Sequence, residues 1–477
     1  MNKEQSWTPA RIIYAVLMSG LLLGYLAVIA TYKDYTTSGQ DFYYPGFVWI
    51  VRVITVVMAV ILGKLWKDKG FWILMAYLLL KAVRVAIPDP QNLFEYTVSD
   101  NLMTGLWIFC ACYGLGRVFS KEQLKKLLGF NAVIWTVGMI VYSCLGIYAA
   151  WTWTPIYTIG KGAAWCIQDN RLFLVYFVTI SGAVLSISII IALCYAITVK
   201  NRAAKAFFFL SLIPMIIALS LTDSRCAQIT VATGTAALIG IYVLDKLLYN
   251  DSAITKKPLR AWAFALASAG VVFVAVVFVT MKTINVFNHV RVTGLLISRA
   301  LADNTGNVIS NRGYLGSNPL TSRPMIWESA IRAFKNNPAY LLYGASILNP
   351  MKEVNASPTM TFHASHCHCM PLMILLENGI PGVLLIGSFL TTVISRALCL
   401  VKKTALFWIK GTAAIALSVT IGELIECFTW LRSGQAPILP FYFVALGIIS
   451  AAESGRKTAE QQIEMTESCN EVTANAD

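Results

Sequence analysis

Residues 261–282 read AWAFALASAGVVFVAVVFVTMK, an apolar run with no charged residue before its last position. A helix needs about 20 mostly apolar residues to cross the hydrocarbon core of a bilayer, and this run has that length. The composition agrees, because the chain of 477 residues is 57% hydrophobic and only 13% charged. These features exclude a soluble globular domain and predict a membrane protein.

Twelve apolar runs of this kind predict an all-α membrane fold with about twelve transmembrane helices. The third run carries Lys81 and Arg84 near its end, and the fourth run is short. The predicted spans are 11–31, 46–63, 70–87, 102–118, 129–150, 172–199, 205–222, 227–247, 261–282, 370–395, 404–425 and 436–452.

The basic residues between these spans predict the orientation, because cytoplasmic loops are enriched in Lys and Arg. If the N-terminus is cytoplasmic, the inside loops collect clusters such as Lys64, Lys67 and Lys69, and the series continues to Arg396, Lys402, Lys403 and Lys410. The outside loops hold far fewer, chiefly Lys33, Lys161, Arg171, Arg225 and Arg432. We therefore predict a multi-pass protein of the cytoplasmic (inner) membrane with both termini in the cytoplasm.

The net charge of +14 raises the alternative of a nucleic-acid-binding protein. Most of the excess lies in the loops that orient the helices, so we expect a lipid bilayer and no nucleic acid as partner. The first apolar run lacks a small-x-small cleavage site and is interpreted as an anchor. The eleven cysteines are scattered and predict no disulfide framework.

The predicted spans divide the chain into four parts. Residues 1–282 contain transmembrane helices one to nine, and residues 283–369 form one large extracytoplasmic loop. Residues 370–452 contain helices ten to twelve, and residues 453–477 form a polar cytoplasmic tail predicted to be disordered.

Two stretches of the large loop, around 289–301 and 324–335, are predicted to be helical. In the second, Trp327, Ile331 and Phe334 form an apolar stripe at helical spacing. Packing against the helix bundle or the lipid headgroups explains such a stripe without a functional role.

Three of the four histidines of the chain lie within residues 361–382, which read TFHASHCHCMPLMILLENGIPG. One interpretation is a zinc site formed by His366, Cys367, His368 and Cys369, with His363 in support. Four contiguous ligands do not match the separated pairs of structural zinc sites, and adjacent side chains of an extended segment point apart. We therefore expect no metal and favour a single histidine that acts as a general base.

Charged residues near the outer face are the other candidates for a site, because such groups are costly at membrane depth unless they are paired or functional. Arg225 lies at the outer junction of the seventh and eighth spans, where a salt bridge to Asp223 is the alternative explanation. Arg323 precedes the amphipathic stripe and is unremarkable by position alone. Glu423 and Glu426 lie near the outer end of the eleventh span, either holding an arginine or facing interfacial water.

Together these segments resemble the O-antigen ligase and polymerase superfamily of bacterial membrane proteins. LTDSRCA (221–227) resembles its Ser-Arg-Gly segment, with Cys226 in place of the glycine. TSRPMIWESAIRAFKNNPAYLLYGAS (321–346) resembles its Arg-x-x-x-Trp helix, which is followed by Asn-Pro and a glycine-containing turn. HCHCMPLMILLENGIPGVLL (366–385) resembles its His-Asn signature followed by Leu, Glu, Gly and Pro-Gly.

Within this resemblance, the spacing to Glu377 and Gly379 matches His368 to the family histidine and His366 to the less strict histidine position before it. Cys369 takes the place where asparagine is common. The resemblance implies a membrane glycosyltransferase (GT-C-like) bundle that acts on the extracytoplasmic face without a metal or another cofactor. It implies a polyprenyl-diphosphate-linked glycan as donor and a hydroxyl on a lipid or glycan as acceptor.

The resemblance also implies roles for individual residues. His368 would be the catalytic base, and Arg225 and Arg323 would bind the diphosphate. His366, Glu377, Trp327, Glu423 and Glu426 are the expected supporting residues. A repeat-unit polymerase of the same superfamily is the first alternative, and a transporter of lipid-linked oligosaccharides is the second, although the polar candidates gather at the outer face rather than at the midplane.

Overall fold

A computed structural model describes residues 7–31, 46–87, 101–157, 163–168, 171–174, 178–250, 258–297, 323–347, 349–360, 364, 366–403, 407–425 and 438–452. The described part of the chain is nearly all helical, as predicted, and a helix lies at each of the twelve predicted span positions. His363, Glu426 and the predicted cytoplasmic tail lie outside the described residues.

The N-terminal helices are α1 (Pro9–Thr31), α2 (Gly46–Gly63) and α3 (Lys69–Ala86), followed by a composite fourth span. In that span, α4 (Asn101–Trp107) passes through a π-helical turn (Ile108–Cys112) into α5 (Tyr113–Val118). Tyr14 of α1 donates a 2.8 Å hydrogen bond to the carbonyl of Ala111, one of the residues of this turn. The irregular backbone is thus buried against protein, which is where a membrane fold tolerates it.

The central helices are α6 (Lys121–Thr152), α7 (Val178–Thr198), α8 (Arg202–Leu221), α9 (Arg225–Asn250) and α10 (Pro258–Ile297). The start of α6 follows from a capping box, in which Ser120 and Gln123 each accept a hydrogen bond from the other's backbone N–H. The ninth predicted span and the described part of the helical stretch predicted around 289–301, up to Ile297, belong to one helix, α10. No Gly or Pro occurs between them to end it.

The C-terminal helices are α11 (Arg323–Asn336), α12 (Ala339–Tyr343), α13 (Lys352–Asn355), α14 (Met370–Lys403), α15 (Phe407–Ile425) and α16 (Ile438–Ala452). Lys410, which we assigned to a cytoplasmic loop, is instead buried in α15 and forms an ion pair with Asp245 of α9. A charge within a span is tolerated when it is paired in this way.

A small antiparallel sheet accompanies the helices and does not change the all-α class of the fold. Its strands β1 (Ile156–Tyr157), β2 (Ala163–Gln168) and β3 (Arg171–Leu174) follow each other between α6 and α7. The predicted sixth span, 172–199, includes all of β3 but its first residue, because a short apolar run does not distinguish strand from helix. Leu172 and Leu174 alternate into the core, and the Leu174 carbonyl accepts hydrogen bonds from Tyr142 and Ser181.

Seven of the described helices are long and apolar enough to cross a membrane, and four shorter apolar helices accompany them. Among the described helices at predicted span positions, α3 meets neither description, and it carries Lys69, Lys81 and Arg84. The chain is therefore an integral membrane protein by its helices, and the number of twelve spans stays a prediction.

Candidate functional site

The histidine-rich segment forms a turn, defined here as the histidine turn, residues 366–369. His368 adopts a left-handed backbone conformation with a φ of 51°. Its backbone N–H donates to Nδ1 of His366 over 3.2 Å, and the centroids of the two imidazole rings lie 4.0 Å apart. The segment is thus not extended as we expected, and His366 is in direct contact with His368.

The two cysteines of the histidine turn lie in different surroundings. Cys367 is completely buried, and its Sγ lies 3.6 Å from Sδ of Met351. Burial raises the pKa of the Cys367 thiol well above its ordinary value. Cys369 is partly exposed. Among the described residues, no group of three or more His, Cys, Asp or Glu side chains is arranged to hold a metal ion.

Helix α11 is joined directly to the histidine turn. Nε1 of Trp327 donates a 2.8 Å hydrogen bond to the carbonyl of Cys367, the residue before His368. Arg323 is the first residue of α11 and lies four positions before Trp327, so helical spacing places both residues on one face. The structure therefore brings the helix of Arg323 and the turn of His368 together, as the motif order suggests.

The loop before the histidine turn is held in place by paired polar side chains. The side-chain amide of Asn355 donates to the carbonyl of Ala364 and accepts from its N–H, both over 2.9 Å. Ser329 of α11 and Thr359 share a 2.8 Å hydrogen bond between their hydroxyl groups. These contacts tie the loop to α11 and α13 and limit where the histidine turn can lie.

Arg225 is the first residue of α9, next to α7 and α15. The chain enters α9 through Asp223, which has a φ of 47°. Gly182 of α7 lets the two helices approach, since a Cβ at this position would lie 2.5 Å from Cβ of Ala227. Cys226, which replaces the family glycine, donates through Sγ to the carbonyl of Gly422 over 3.4 Å.

Glu423 of α15 follows Gly422 and is completely buried, so it lies close to the start of α9. Helix α15 packs against both α9 and α14, the helix that follows the histidine turn. Arg225 is therefore linked to the group of Arg323, Trp327 and His368 through α15. Trp327 contacts the histidine turn directly, through its hydrogen bond to the carbonyl of Cys367.

Two cations of α3 belong to the site and were missed as functional candidates. Nζ of Lys81 lies 3.4 Å from Oε2 of Glu377 in a nearly buried ion pair. Nη2 of Arg84 donates to the carbonyl of Gly344 over 3.3 Å, and its guanidinium lies over the ring of Tyr343. The signal that could have found them is the presence of two cations in an otherwise apolar run.

A separate cavity lies among the membrane helices. Its volume is about 310 Å³, and its lining from α9, α10, α14, α15 and α16 is apolar apart from Thr420. On α14 the lining begins at Leu390, beyond the non-helical residue Gly379 that separates it from Met370. This cavity is therefore distinct from the histidine turn.

Comparison with known families gives a match to this chain. Residues 210–387 match the O-antigen ligase family. The match confirms the resemblance inferred from the three motifs, and it spans Arg225, Arg323, Trp327, His368 and Glu377. This match indicates an enzyme of the ligase or polymerase kind, which acts like a glycosyltransferase. Comparison with curated protein sequences gives no match.

Proposed function

We propose that the protein transfers a glycan from a polyprenyl-diphosphate carrier to an acceptor hydroxyl of a lipid or glycan, in the manner of an O-antigen ligase. The match to the O-antigen ligase family supports the reaction class. The single structural observation that carries the proposal is the hydrogen bond from Trp327 to the Cys367 carbonyl. It joins the helix that begins with Arg323 to the turn that presents His368.

The two arginines act on the leaving group. When the bond between the anomeric carbon and the phosphate oxygen breaks, the diphosphate leaves with the electron pair and gains negative charge. Guanidinium groups bind such oxygens through bidentate, charge-assisted hydrogen bonds, which are strongest where water is excluded. In this proposal Arg225 and Arg323 bind the diphosphate, and no metal or nucleotide is required.

His368 acts on the acceptor. A neutral imidazole takes the proton of the acceptor hydroxyl while its oxygen forms a new bond to the anomeric carbon. Attack from the face opposite the diphosphate inverts the configuration at that carbon. His366 touches His368 and supports its orientation, and the 3.2 Å hydrogen bond to His366 stabilises the turn. Glu423 and Glu426 are proposed to support Arg225 from the outer end of the eleventh span.

The proposal is tested by substitutions in a strain that lacks the chromosomal copy. Arg225→Ala, Arg323→Ala and His368→Ala should each lower glycan transfer at least about a hundredfold, as expected for lost acid–base or electrostatic catalysis. The measurement is the amount of acceptor-linked polysaccharide at equal protein levels. Arg332→Ala is the matched control, because Arg332 lies on α11, is exposed and pairs with Glu328. Full transfer by all three variants would reject the proposed mechanism.

A repeat-unit polymerase is the alternative that the same family match favours. The two activities differ in the acceptor, and the deletion strain separates them. Long glycans that accumulate without an acceptor identify a ligase, whereas glycans that stay short on the lipid carrier identify a polymerase. Transfer of label between lipid carriers by the purified protein in detergent would exclude a transporter, since no transport takes place there.

A further inference from the structure

The helix that follows the histidine turn is divided into two parts. Gly379 has a φ of 65° and a ψ of −166°, which interrupts α14, and Pro381 follows two residues later. Residues 370–378 therefore form a short helix, and residues 380–403 form the long membrane helix. Because the backbone is not helical at the break, the direction of the short helix is not set by the long one.

Contacts with α12 hold the short helix at its C-terminal end. The backbone N–H of Ala345 donates to the carbonyl of Leu376 over 2.6 Å. Gly344 and Gly379 both have a positive φ and let the two backbones meet. A Cβ at Gly344 would lie 2.6 Å from the carbonyl group of Glu377, and a Cβ at Gly379 would lie 2.6 Å from that of Leu342.

Helix α3 holds the same junction from the other side. Lys81 pairs with Glu377 on the short helix, and the side chains are only 10% and 2% exposed. Arg84, one turn further along α3, donates to the Gly344 carbonyl in the facing turn. One face of α3 thus contacts both members of the junction, the short helix and the turn after α12.

The short helix leads directly to the proposed base. It begins at Met370, and the backbone N–H of Met373 donates to the carbonyl of Cys369 over 3.1 Å. A rotation of the short helix about Gly379 would move the histidine turn at its far end, about 13 Å away at 1.5 Å per residue. It would also withdraw Cys367 from its buried position beside Met351.

We propose that Lys81 and Arg84 are positioning residues, which set the direction of the short helix and thereby the location of His368. A buried ion pair adds little to stability when it is compared with apolar packing. If Lys81 and Arg84 orient the short helix, their presence in the otherwise apolar helix α3 is explained. The catalytic consequence rests on the proposed function, whereas the orientation itself does not.

The test uses the reactivity of native thiols, which requires no substrate. The purified protein in detergent is treated with a maleimide, and labelling of each cysteine is followed by peptide mass spectrometry. Cys367 should be protected in the unsubstituted protein and should react at least tenfold faster in Lys81→Ala and Glu377→Gln. Cys399, exposed on the long part of α14, should react at an unchanged rate.

Two further variants separate orientation from general destabilisation. The double variant with Lys81→Glu and Glu377→Lys restores the pair with reversed charges and should restore protection of Cys367. Lys69 is an exposed lysine of α3, and Lys69→Ala should leave the labelling rates of Cys367 and Cys399 unchanged. Where transfer is measurable, Lys81→Ala should lower kcat about tenfold with little change in KM for the donor.

Unchanged protection of Cys367 in Lys81→Ala and Glu377→Gln would overturn the proposal. A parallel rise at Cys367 and at Cys194, which is buried elsewhere in the helix bundle, would also overturn it, because it indicates unfolding. These outcomes are independent of the proposed function. If Cys367 reacts as expected in a protein without transfer activity, the orientation role stands and the proposed function fails.

Discussion

Gly344 and Gly379 illustrate how single residues shape the site. Each has a positive φ, and each lies against the backbone of the other's segment. A side chain at either position meets both a conformational cost and a steric clash with main-chain atoms, which cannot move as a flexible side chain can. The glycines of the two family motifs, far apart in the sequence, therefore have a common physical reason: they form one contact.

Gly379→Ala is expected to lower the free energy of unfolding by about 2 kcal/mol or more, since a φ of 65° with a ψ of −166° is almost confined to glycine and costs another residue about 1–3 kcal/mol. The measurement is thermal unfolding of the purified protein together with glycan transfer. Gly387→Ala is the control on the same helix, where a Cβ would meet no atom within 4 Å. This control should unfold at the same temperature or slightly higher, because alanine favours a helix over glycine. Equal behaviour of the two variants would contradict the contact.

At the scale of elements, α11 joins one proposed diphosphate ligand to the proposed base. The apolar stripe predicted on α11 is only partly buried. Phe334 is buried, whereas Ile331 is 50% exposed. Trp327 uses its indole N–H to reach the Cys367 carbonyl. The motif spacing Arg-x-x-x-Trp thus has a structural reason. One turn of α11 separates Trp327, which contacts the histidine turn, from Arg323, which is proposed to bind the diphosphate.

Trp327→Phe should keep the aromatic packing and remove the hydrogen bond. A neutral hydrogen bond contributes about 0.5–1.5 kcal/mol to stability. If the bond from Trp327 holds His368 in its reactive position, its loss should lower the rate of glycan transfer by about two- to tenfold. Ile331→Ala on the exposed side of α11 should leave transfer unchanged. The rates of glycan transfer by Trp327→Phe and Ile331→Ala are compared at matched protein levels. Equal rates would show that the hydrogen bond does not position the histidine turn.

At the scale of the whole molecule, Asp68 connects helices at the end opposite the histidine turn. It is buried and accepts hydrogen bonds from Tyr113, Arg117 and Ser450 over 2.8–3.1 Å, with Arg396 at 3.5 Å. These donors belong to α5, α14 and α16, and Asp68 itself caps α3 through the Gly70 N–H. Burial opposes ionisation, but the cations and hydrogen bonds outweigh it and hold the pKa of Asp68 below its ordinary value.

Asp68→Asn should therefore lower the melting temperature at pH 7 by about 3–5 °C, because it leaves buried cations without their carboxylate. A lowered folded-state pKa means that this stability is present above the unfolded pKa of about 4 and is lost as the pH falls through the folded value. The difference in melting temperature between Asp68→Asn and the unsubstituted protein should consequently become smaller in acid. Thermal unfolding at pH 7 and below pH 4 measures it, with the exposed Glu122→Gln as control. A constant difference would contradict the linkage.

The sequence predicted the positions of the helices well, because each apolar run is a local signal that the lipid environment makes decisive. It also predicted that the segments of Arg323 and His368 belong to one site. It missed the hairpin at β3, where a short run with Leu172 and Leu174 is ambiguous. It missed the roles of Lys81 and Arg84, because the partner of Arg84 lies 260 positions away.

The sequence by itself thus determined the class of fold, the resemblance to the O-antigen ligase family, which residues 210–387 match, and the candidates Arg225, Arg323 and His368. Only the tertiary structure decided how the short helix after the histidine turn is held. Apolar length and motif spacing act within one segment, whereas the direction of a helix beyond a break depends on contacts from distant segments. Here those contacts come from Lys81, Arg84 and the paired glycines.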